Sequence, residues 1–218
     1  MSGGAWANEE NVRIPMARQR RTRCCRCLPN PCRVSLSAGL QRRDPRGPIY
    51  DPVAVQPMRD ELVAAGFTET ITPDDVDRYL SKKEDKTVLV MINSVCGCAA
   101  GSARPGVTLA LQNKTIPDEM ITVFAGQDRD AVDHLRQNYL QGFQPSSPFF
   151  ALYKNGELIF VMQRFDIEGK SPETVADELA YAFSLYCDRK GPSISPEDYA
   201  NLKHAIMCGS KIPLANNK

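Results

Sequence analysis

Two cysteines separated by one glycine, Cys96-Gly97-Cys98, are the residues whose types and spacing point most directly to chemistry. An unbroken apolar run, 88–92, comes just before them and predicts a buried strand. The alanine-rich sequence after them has helical spacing. A thiol at the start of a helix lies near free backbone N–H groups and the positive end of the helix dipole, which favour the thiolate. We therefore predict a redox site at this junction.

Helices and strands alternate around the two cysteines. The strands that the apolar runs predict lie over 87–92, 120–124, 149–153 and 158–162. The helices that periodicity and capping residues predict lie over 57–66 and 72–81, after Cys98, from Asp128 to Tyr139, from Ser171 to Tyr186, and from Tyr199 to about Met207. Asn155-Gly156 predicts a tight hairpin turn. The βαβ–ββα order predicts an α/β, thioredoxin-like fold with a four-stranded mixed central sheet flanked by helices.

Different roles are expected for the two cysteines. Cys96 precedes the helix and is the expected nucleophile, whereas Cys98 is placed to resolve a mixed disulfide. A disulfide across one residue closes a small, strained ring, which favours accepting a group from a mixed disulfide over holding an internal disulfide. Gly97 is expected to adopt backbone angles that other residues resist, so that both sulfurs can approach.

Further residues are candidates for contacting a substrate. The charge of Arg104 could favour the thiolate or bind the carboxylates of an anionic thiol, and a surface arginine without a role is the alternative. Pro105, inside the same helix, is expected to kink it. In a thioredoxin-like fold the loop that faces the cysteines carries a cis-proline, which presents polar backbone groups to an extended substrate. Ser147 and Pro148, just before the third strand, are the expected residues of that loop.

The remaining thiols and histidines have simpler explanations. Cys187 ends an amphipathic helix, where a buried apolar role is the commoner one, and Cys208 lies in the tail without a pairing argument. His134 and His204 are single histidines on predicted helices, so catalysis is not expected of them. Four cysteines near the N-terminus have a poor spacing for zinc, since two are adjacent and no second CxxC pair follows; they are Cys24, Cys25, Cys27 and Cys32. We expect no metal site.

Charge divides the chain into unequal parts. Residues 1–47 carry ten arginines and no lysine against three acidic residues, whereas the remainder is acidic. Residues 1–48 are therefore expected to be a disordered extension, or upstream sequence read as coding with the true start nearer Met16 or Met58. Residues 49–190 are expected to form the domain and 191–218 a tail with one short helix. No apolar run is long enough for a membrane span, so a soluble protein is expected.

Several separate motifs occur in the order found in one known family. The segment 93–101, which contains the CGC motif, is followed by the segments 103–105, 123–128, 145–148 and 167–169. Together they resemble the bacilliredoxin family over roughly residues 50–187. The resemblance implies a cytoplasmic bacterial thiol–disulfide oxidoreductase that removes bacillithiol from S-bacillithiolated proteins. It implies that Cys96 attacks the mixed disulfide and carries bacillithiol, that Cys98 resolves it, and that no cofactor is needed beyond bacillithiol as thiol substrate.

Other functions remain open at this stage. A general protein disulfide isomerase or reductase would use the same two cysteines. A zinc or iron–sulfur module could use Cys96 and Cys98, with or without Cys187. A thioredoxin-fold interaction protein with a nucleic-acid-binding arginine tail is the third alternative. The partners we expect are S-bacillithiolated proteins and bacillithiol, without membrane or nucleic acid, and the pattern assigns no oligomeric state.

Overall fold

A computed structural model describes residues 47–215, with only the backbone of Ser210. The expected N-terminal extension, apart from its last two residues, lies outside the described residues. The zinc hypothesis for the N-terminal cysteines lies outside them too.

The described residues contain the predicted run of helices and strands, with several short elements added that the sequence pattern does not predict. The α-helices are α1 (Pro52–Ala64), α2 (Pro73–Leu80), α3 (Arg104–Ala110), α4 (Arg129–Asn138), α5 (Arg164–Ile167), α6 (Pro172–Tyr186) and α7 (Pro196–Ala200). The strands are β1 (Thr68–Glu69), β2 (Thr87–Asn93), β3 (Thr115–Ile116), β4 (Glu119–Phe124), β5 (Phe149–Lys154), β6 (Glu157–Met162) and β7 (Arg189–Lys190). A π-helical turn, Ala99–Ala103, precedes α3, and a 3₁₀ turn, Gly209–Lys211, lies near the C-terminus.

The central sheet has five strands in the order β1-β4-β2-β5-β6. Strand β4 runs parallel to β1 and β2, and the hairpin of β5 and β6 pairs antiparallel to β2. The α/β fold is confirmed. The central sheet has five strands where four were expected, and β3 and β7 pair antiparallel in a separate two-stranded sheet. The extra strand, β1, is only two residues long at the sheet edge and has no readable period.

Strand β2 lies at the centre of the sheet and contributes to two cores. Leu89 and Met91 pack with α3 and α6 on one face, whereas Val90 and Ile92 pack with α2 and α4 on the other. Successive side chains of a strand point to opposite faces, so a strand covered on both sides is apolar throughout. All seven residues of β2 are buried, which fixes the position of the cysteines that follow.

Proline and capping residues set where the helices begin. Thr72 and Asp75 form a capping box at the start of α2, where capping residues predict a helix. Helix α1 begins five residues earlier than predicted, because the carboxylate of Asp51 accepts a hydrogen bond from Val53 N at 2.9 Å. Pro57 therefore lies inside α1 and not in its first turn.

The helix after the cysteines changes its winding before Pro105. Residues Ala99–Ala103 form a π-helical turn, closed by the hydrogen bond from Arg104 N to Ala99 O, and α3 continues with Pro105 in its first turn. Proline has no N–H to donate into a preceding turn, and a π-turn accommodates the missing hydrogen bond. The sequence predicts that Pro105 kinks this helix. The change that the structure shows is a wider turn just before the proline.

The C-terminal segment folds back onto the domain. Helix α7 ends at Ala200, so the prediction of a helix to Met207 is wrong. Residues after it bond to the domain instead: Ala205 N donates to Glu61 Oε2 at 3.0 Å and Gly209 N to Val95 O at 2.7 Å. Ile212 is buried against Val95. Such tertiary hydrogen bonds replace helical ones that local spacing alone would favour. Within the described residues, no helix has the length and apolar character of a membrane span.

Candidate redox site

Strand β2 ends at Asn93, and the two cysteines lie three and five residues further on, at the start of the next helix. The carbonyl oxygen of Cys96 accepts hydrogen bonds from the N–H groups of Ala99 and Ala100, both at 3.1 Å. Cys96 therefore immediately precedes the first helical turn, as predicted. Both cysteines are free thiols and partly exposed, so a substrate can reach them.

Hydrogen-bond donors surround the sulfur of Cys96. Ala99 N–H donates to this sulfur at 3.3 Å, and the hydroxyl of Ser94 donates to it at 3.1 Å. The sulfur of Cys98 lies 2.8 Å away. Donors directed at a sulfur stabilise negative charge on it, so the geometry suits Cys96 as the attacking thiolate.

Cys98 has a different environment although the two sulfurs are in contact. Burial raises the pKa of Cys98 to about 11, and its hydrogen bond and charge interaction with Cys96 add to the increase. Cys98 is therefore protonated at neutral pH, and its S–H can donate to the sulfur of Cys96. The structure thus distinguishes the two thiols: hydrogen-bond donors surround the sulfur of Cys96, and Cys98 keeps its proton.

The loop before β5 faces the cysteines. The peptide bond between Ser147 and Pro148 is cis, as expected. The carbonyl oxygen of Ser147 lies 3.8 Å from the sulfur of Cys96. Pro148 is buried and Ser147 is partly exposed. The structure thus brings these two residues to the site, and their contact with substrate stays a prediction.

Arg104 is fully buried, with 0% of its surface exposed. Its guanidinium donates to Glu61 Oε2 at 2.8 Å, Ser94 O at 3.1 Å and Ala205 O at 2.6 Å. The prediction that Arg104 binds the carboxylate of a substrate is wrong, because no part of the side chain reaches solvent. A buried guanidinium needs a buried carboxylate and several acceptors, and these are the partners it has.

The buried pair of Arg104 and Glu61 positions the backbone ahead of the cysteines. Arg104 Nη1 also donates to Asn93 Oδ1 at 3.3 Å, and Asn93 Oδ1 accepts from Ser94 N at 2.8 Å. Glu61 in turn accepts from His204 Nδ1 at 2.8 Å. His204 lies beyond the end of α7, so its expected place on a helix is wrong. The network holds Ser94, whose hydroxyl contacts the sulfur of Cys96.

Gly97 does not have the conformation that the sequence suggested. It lies in the first helical turn and is absent from the described glycines with positive φ, so the prediction that it adopts angles other residues resist is wrong. A Cβ atom placed on Gly97 would lie 3.9 Å from the sulfur of Cys208, an ordinary contact. The structure thereby brings a tail thiol to the motif, which the sequence pattern did not predict.

Arg164 is a second residue that sequence reasoning missed. It opens α5 directly after β6, and 47% of its side-chain surface is exposed. Charge interactions with Cys98 and then Cys96 raise the pKa of Arg164, so its guanidinium is within range of charge interaction with both sulfurs. It also pairs with Glu168 at 3.6 Å. Strands β2 and β6 run in the same direction, since each is antiparallel to β5. If the predicted hairpin is paired with β2, Arg164 is expected at the same end of the sheet as the cysteines.

Cys187 and His134 lie away from this site. Cys187 is buried, as expected, and interacts with Thr87 at the start of β2, whereas the CGC motif follows its end. His134 bonds to Asp77 at 2.7 Å and joins α4 to α2. Among residues 47–215, no group of three or more His, Cys, Asp or Glu side chains is arranged to hold a metal ion. The metal hypothesis that joins Cys187 to the motif does not fit this placement.

One relationship defines the class of the protein. Strand β2 leads to a pair of cysteines where a helix begins, and the neighbouring β5 begins at a cis-proline opposite them. In a mixed sheet covered by helices on both faces, this is the arrangement of the thioredoxin-like proteins, and it serves thiol–disulfide exchange.

Comparison with known proteins gives the family. A family model described as disulphide isomerase matches residues 50–187. A bacilliredoxin of Salinibacter ruber is 48% identical over 148 residues, which cover 67% of this chain and 86% of the relative. A bacilliredoxin of Staphylococcus aureus is 44% identical over 142 residues, which cover 65% of this chain and 96% of the relative. The chain belongs to the bacilliredoxin family, and its function is thiol–disulfide redox chemistry.

Proposed function

We propose that this protein removes bacillithiol, or a similar low-molecular-weight thiol, from mixed disulfides on other proteins. The observation that carries the proposal is the asymmetry of the two thiols. Donors from Ala99 and Ser94 surround the sulfur of Cys96, whereas burial raises the pKa of Cys98 to about 11. One thiol is thus prepared to attack and the other to stay protonated. The name of the relatives supports bacillithiol as the small thiol.

The first step is an exchange at the sulfur of Cys96. Its thiolate attacks the bacillithiol sulfur of the mixed disulfide, a new disulfide forms between Cys96 and bacillithiol, and the target protein leaves as a thiolate. No external oxidant or reductant enters this step. Cys98, whose sulfur lies 2.8 Å from the sulfur of Cys96, is still protonated in this step. It must lose its proton before it can attack as the resolving thiol.

Substrate binding in this proposal uses groups at the rim of the site. Arg164 supplies an exposed guanidinium within range of charge interaction with both sulfurs, suited to a carboxylate of an anionic thiol. The backbone around Ser147 and Pro148 supplies polar groups opposite Cys96 for the extended chain of the target protein. Arg104 has no part in binding because it is buried.

The test follows the release of the target protein's thiol. Reduced full-length protein is mixed with an S-bacillithiolated model protein, and the free target is counted by intact mass. Wild type and Cys187→Ser, the matched control at a buried thiol outside the site, should release the target at equal rates. Cys96→Ser should release none above the uncatalysed rate. Release by Cys96→Ser as fast as by wild type would show that the assignment is wrong.

A general disulfide isomerase or reductase is the second candidate, favoured by the description of the matching family model. Such an enzyme would act on disulfides within proteins through the same Cys96. Equal rates on a scrambled-disulfide protein and on a bacillithiolated protein would favour it. A strong preference for the bacillithiolated protein would favour the first proposal.

A further inference from the structure

The C-terminal segment places a third thiol beside the CGC motif. The sulfur of Cys208 lies 3.9 Å from the position that a Cβ atom would take on Gly97, the residue between the two redox cysteines. The next residue, Gly209, donates its N–H to Val95 O at 2.7 Å, one residue before Cys96. Cys208 is a free and partly exposed thiol. It is therefore in the site, although more than a hundred positions from Cys96 in the sequence.

Contacts on both sides of Cys208 hold it there. Before it, the backbone of Ala205 donates to Glu61 Oε2 at 3.0 Å and accepts from Arg104 Nη2 at 2.6 Å. After it, Ile212 is 5% exposed and packs against Val95 and Phe124. The buried pair that positions the start of the redox motif thus also holds the segment that carries the third thiol.

The two residues just before Cys208 are exposed to solvent. Ile206 is 84% exposed and Met207 is 47% exposed. A segment fixed at both ends and solvent-exposed between them can shift locally without unfolding the domain. Cys208 is therefore held near the motif, next to residues that are exposed to solvent.

We propose that Cys208 is a second resolving thiol of this protein, which attacks the mixed disulfide that Cys96 carries. The inference rests on the proposed function, in which Cys96 takes up the small thiol. In this step the thiolate of Cys208 attacks the sulfur of Cys96. A disulfide between Cys96 and Cys208 forms, the bond to the small thiol breaks, and the small thiol leaves as a thiolate. Cys208 is oxidised and the small thiol is reduced, so the step needs no other reagent.

Ring geometry favours Cys208 over Cys98 for this step. Cys98 would close a disulfide across a single residue, which is a small and strained ring. Cys208 comes from a separate segment, so its disulfide with Cys96 contains no such small ring. The resulting bond would also tie the C-terminal segment to the active site until an external thiol reduces it. The tail then acts as part of the catalytic cycle.

The experiment uses the full-length chain with Cys98→Ser, so that only another thiol can resolve Cys96. The reduced protein is treated with bacillithiol disulfide, the excess is removed, and peptides are mapped by mass under non-reducing conditions over time. We expect the adduct on Cys96 to give way to a peptide pair linked through Cys96 and Cys208. Bacillithiol should leave at least about ten times faster than from the double variant Cys98→Ser/Cys208→Ser, since the attack is intramolecular. The variant Cys98→Ser/Cys187→Ser is the matched control and should behave like Cys98→Ser.

The outcomes separate this inference from the proposed function. An adduct on Cys96 that persists equally with and without Cys208, or that is resolved by a different cysteine, overturns the role of Cys208 and leaves the proposed function standing. An adduct that never forms on Cys96 in any variant overturns both. The linked peptide is read in a protein with intact Cys208, so the result does not depend on how the Cys208→Ser chain folds.

Discussion

Arg104 Nε donates to Glu61 Oε2 at 2.8 Å, and neither side chain has any exposed surface. The arginine follows the redox cysteines and the glutamate lies on α1, so the pair joins the start of the active-site helix to the first helix of the domain. The same two side chains bond to the backbone of Ala205 in the C-terminal segment. A single buried ion pair thus positions both the CGC motif and the segment that carries Cys208.

Replacing Glu61 should therefore destabilise the domain strongly. In Glu61→Gln the buried guanidinium of Arg104 loses its counter-charge, and breaking one side of a buried pair costs about 3–5 kcal/mol. Urea unfolding of the full chain measures the change in the free energy of unfolding. The control is Glu84→Gln, because Glu84 pairs with Lys86 at 3.6 Å on the surface and should change stability by less than about 1 kcal/mol. Equal losses in both variants would contradict the structural role of Glu61.

Ser94 is expected to assist the charged form of Cys96. Its hydroxyl donates to the sulfur at 3.1 Å, so Ser94→Ala removes one donor from the thiolate. Alkylation of Cys96 by iodoacetamide at pH 7 should slow by about three- to tenfold, the scale of one hydrogen bond to a charged group. Peptide mass measures the rate at Cys96 alone. The control Ser81→Ala, at the exposed end of α2, should leave the rate unchanged, and an unchanged rate in Ser94→Ala would remove the role of this hydroxyl.

Arg164 should discriminate between small thiols by charge. Its guanidinium is exposed and within range of charge interaction with both sulfurs, so Arg164→Gln should slow removal of a carboxylate-bearing thiol by up to about fivefold, the upper range for a surface ion pair. Removal of the neutral thiol 2-mercaptoethanol from the same target should change little. The kinetics of target release measure both. Arg78→Gln, on α2, is the matched control, and an equal effect of Arg164→Gln on both adducts would refute recognition by charge.

Burial of Cys187 gives stability a definite dependence on pH. The pKa of Cys187 is raised from its ordinary value of 9.0 to about 11. The unfolded chain therefore loses this proton at a lower pH than the folded chain, and the folded state loses stability as pH rises from about 9 to 11. The stability of wild type relative to Cys187→Ala should fall across this interval and stay constant between pH 6 and 8. Urea unfolding at four pH values measures the difference, and a difference that grew above pH 9 would contradict the sign.

The sequence predicts those features that short-range patterns encode. The apolar run of β2, the hairpin at Asn155-Gly156 and the capping residues at the start of α2 all carry local signals, and the structure confirms them. The two-residue strand β1 carries no such signal because it is too short to have a period. Its pairing with β4 is visible only in the folded sheet.

The site was predictable where it depends on neighbours in the chain and not where it depends on distant partners. Cys96, Cys98 and the cis bond at Pro148 follow from motif and fold class. The burial of Arg104 depends on Glu61, which is 43 positions away, and no local pattern pairs them. The position of Cys208 depends on hydrogen bonds to Val95 and Glu61 that replace a predicted helix. Contacts of this kind are tertiary, and a linear pattern does not contain them.

The central claim is that Cys96 takes the small thiol from the target protein. Its most direct test is to mix the variant Cys98→Ser/Cys208→Ser, which lacks both proposed resolving thiols, with an S-bacillithiolated protein and to map the adduct by peptide mass. We predict one bacillithiol on Cys96 for each target thiol released. Release of the target with the adduct on another cysteine, or with no adduct on Cys96 at any time, would contradict the claim.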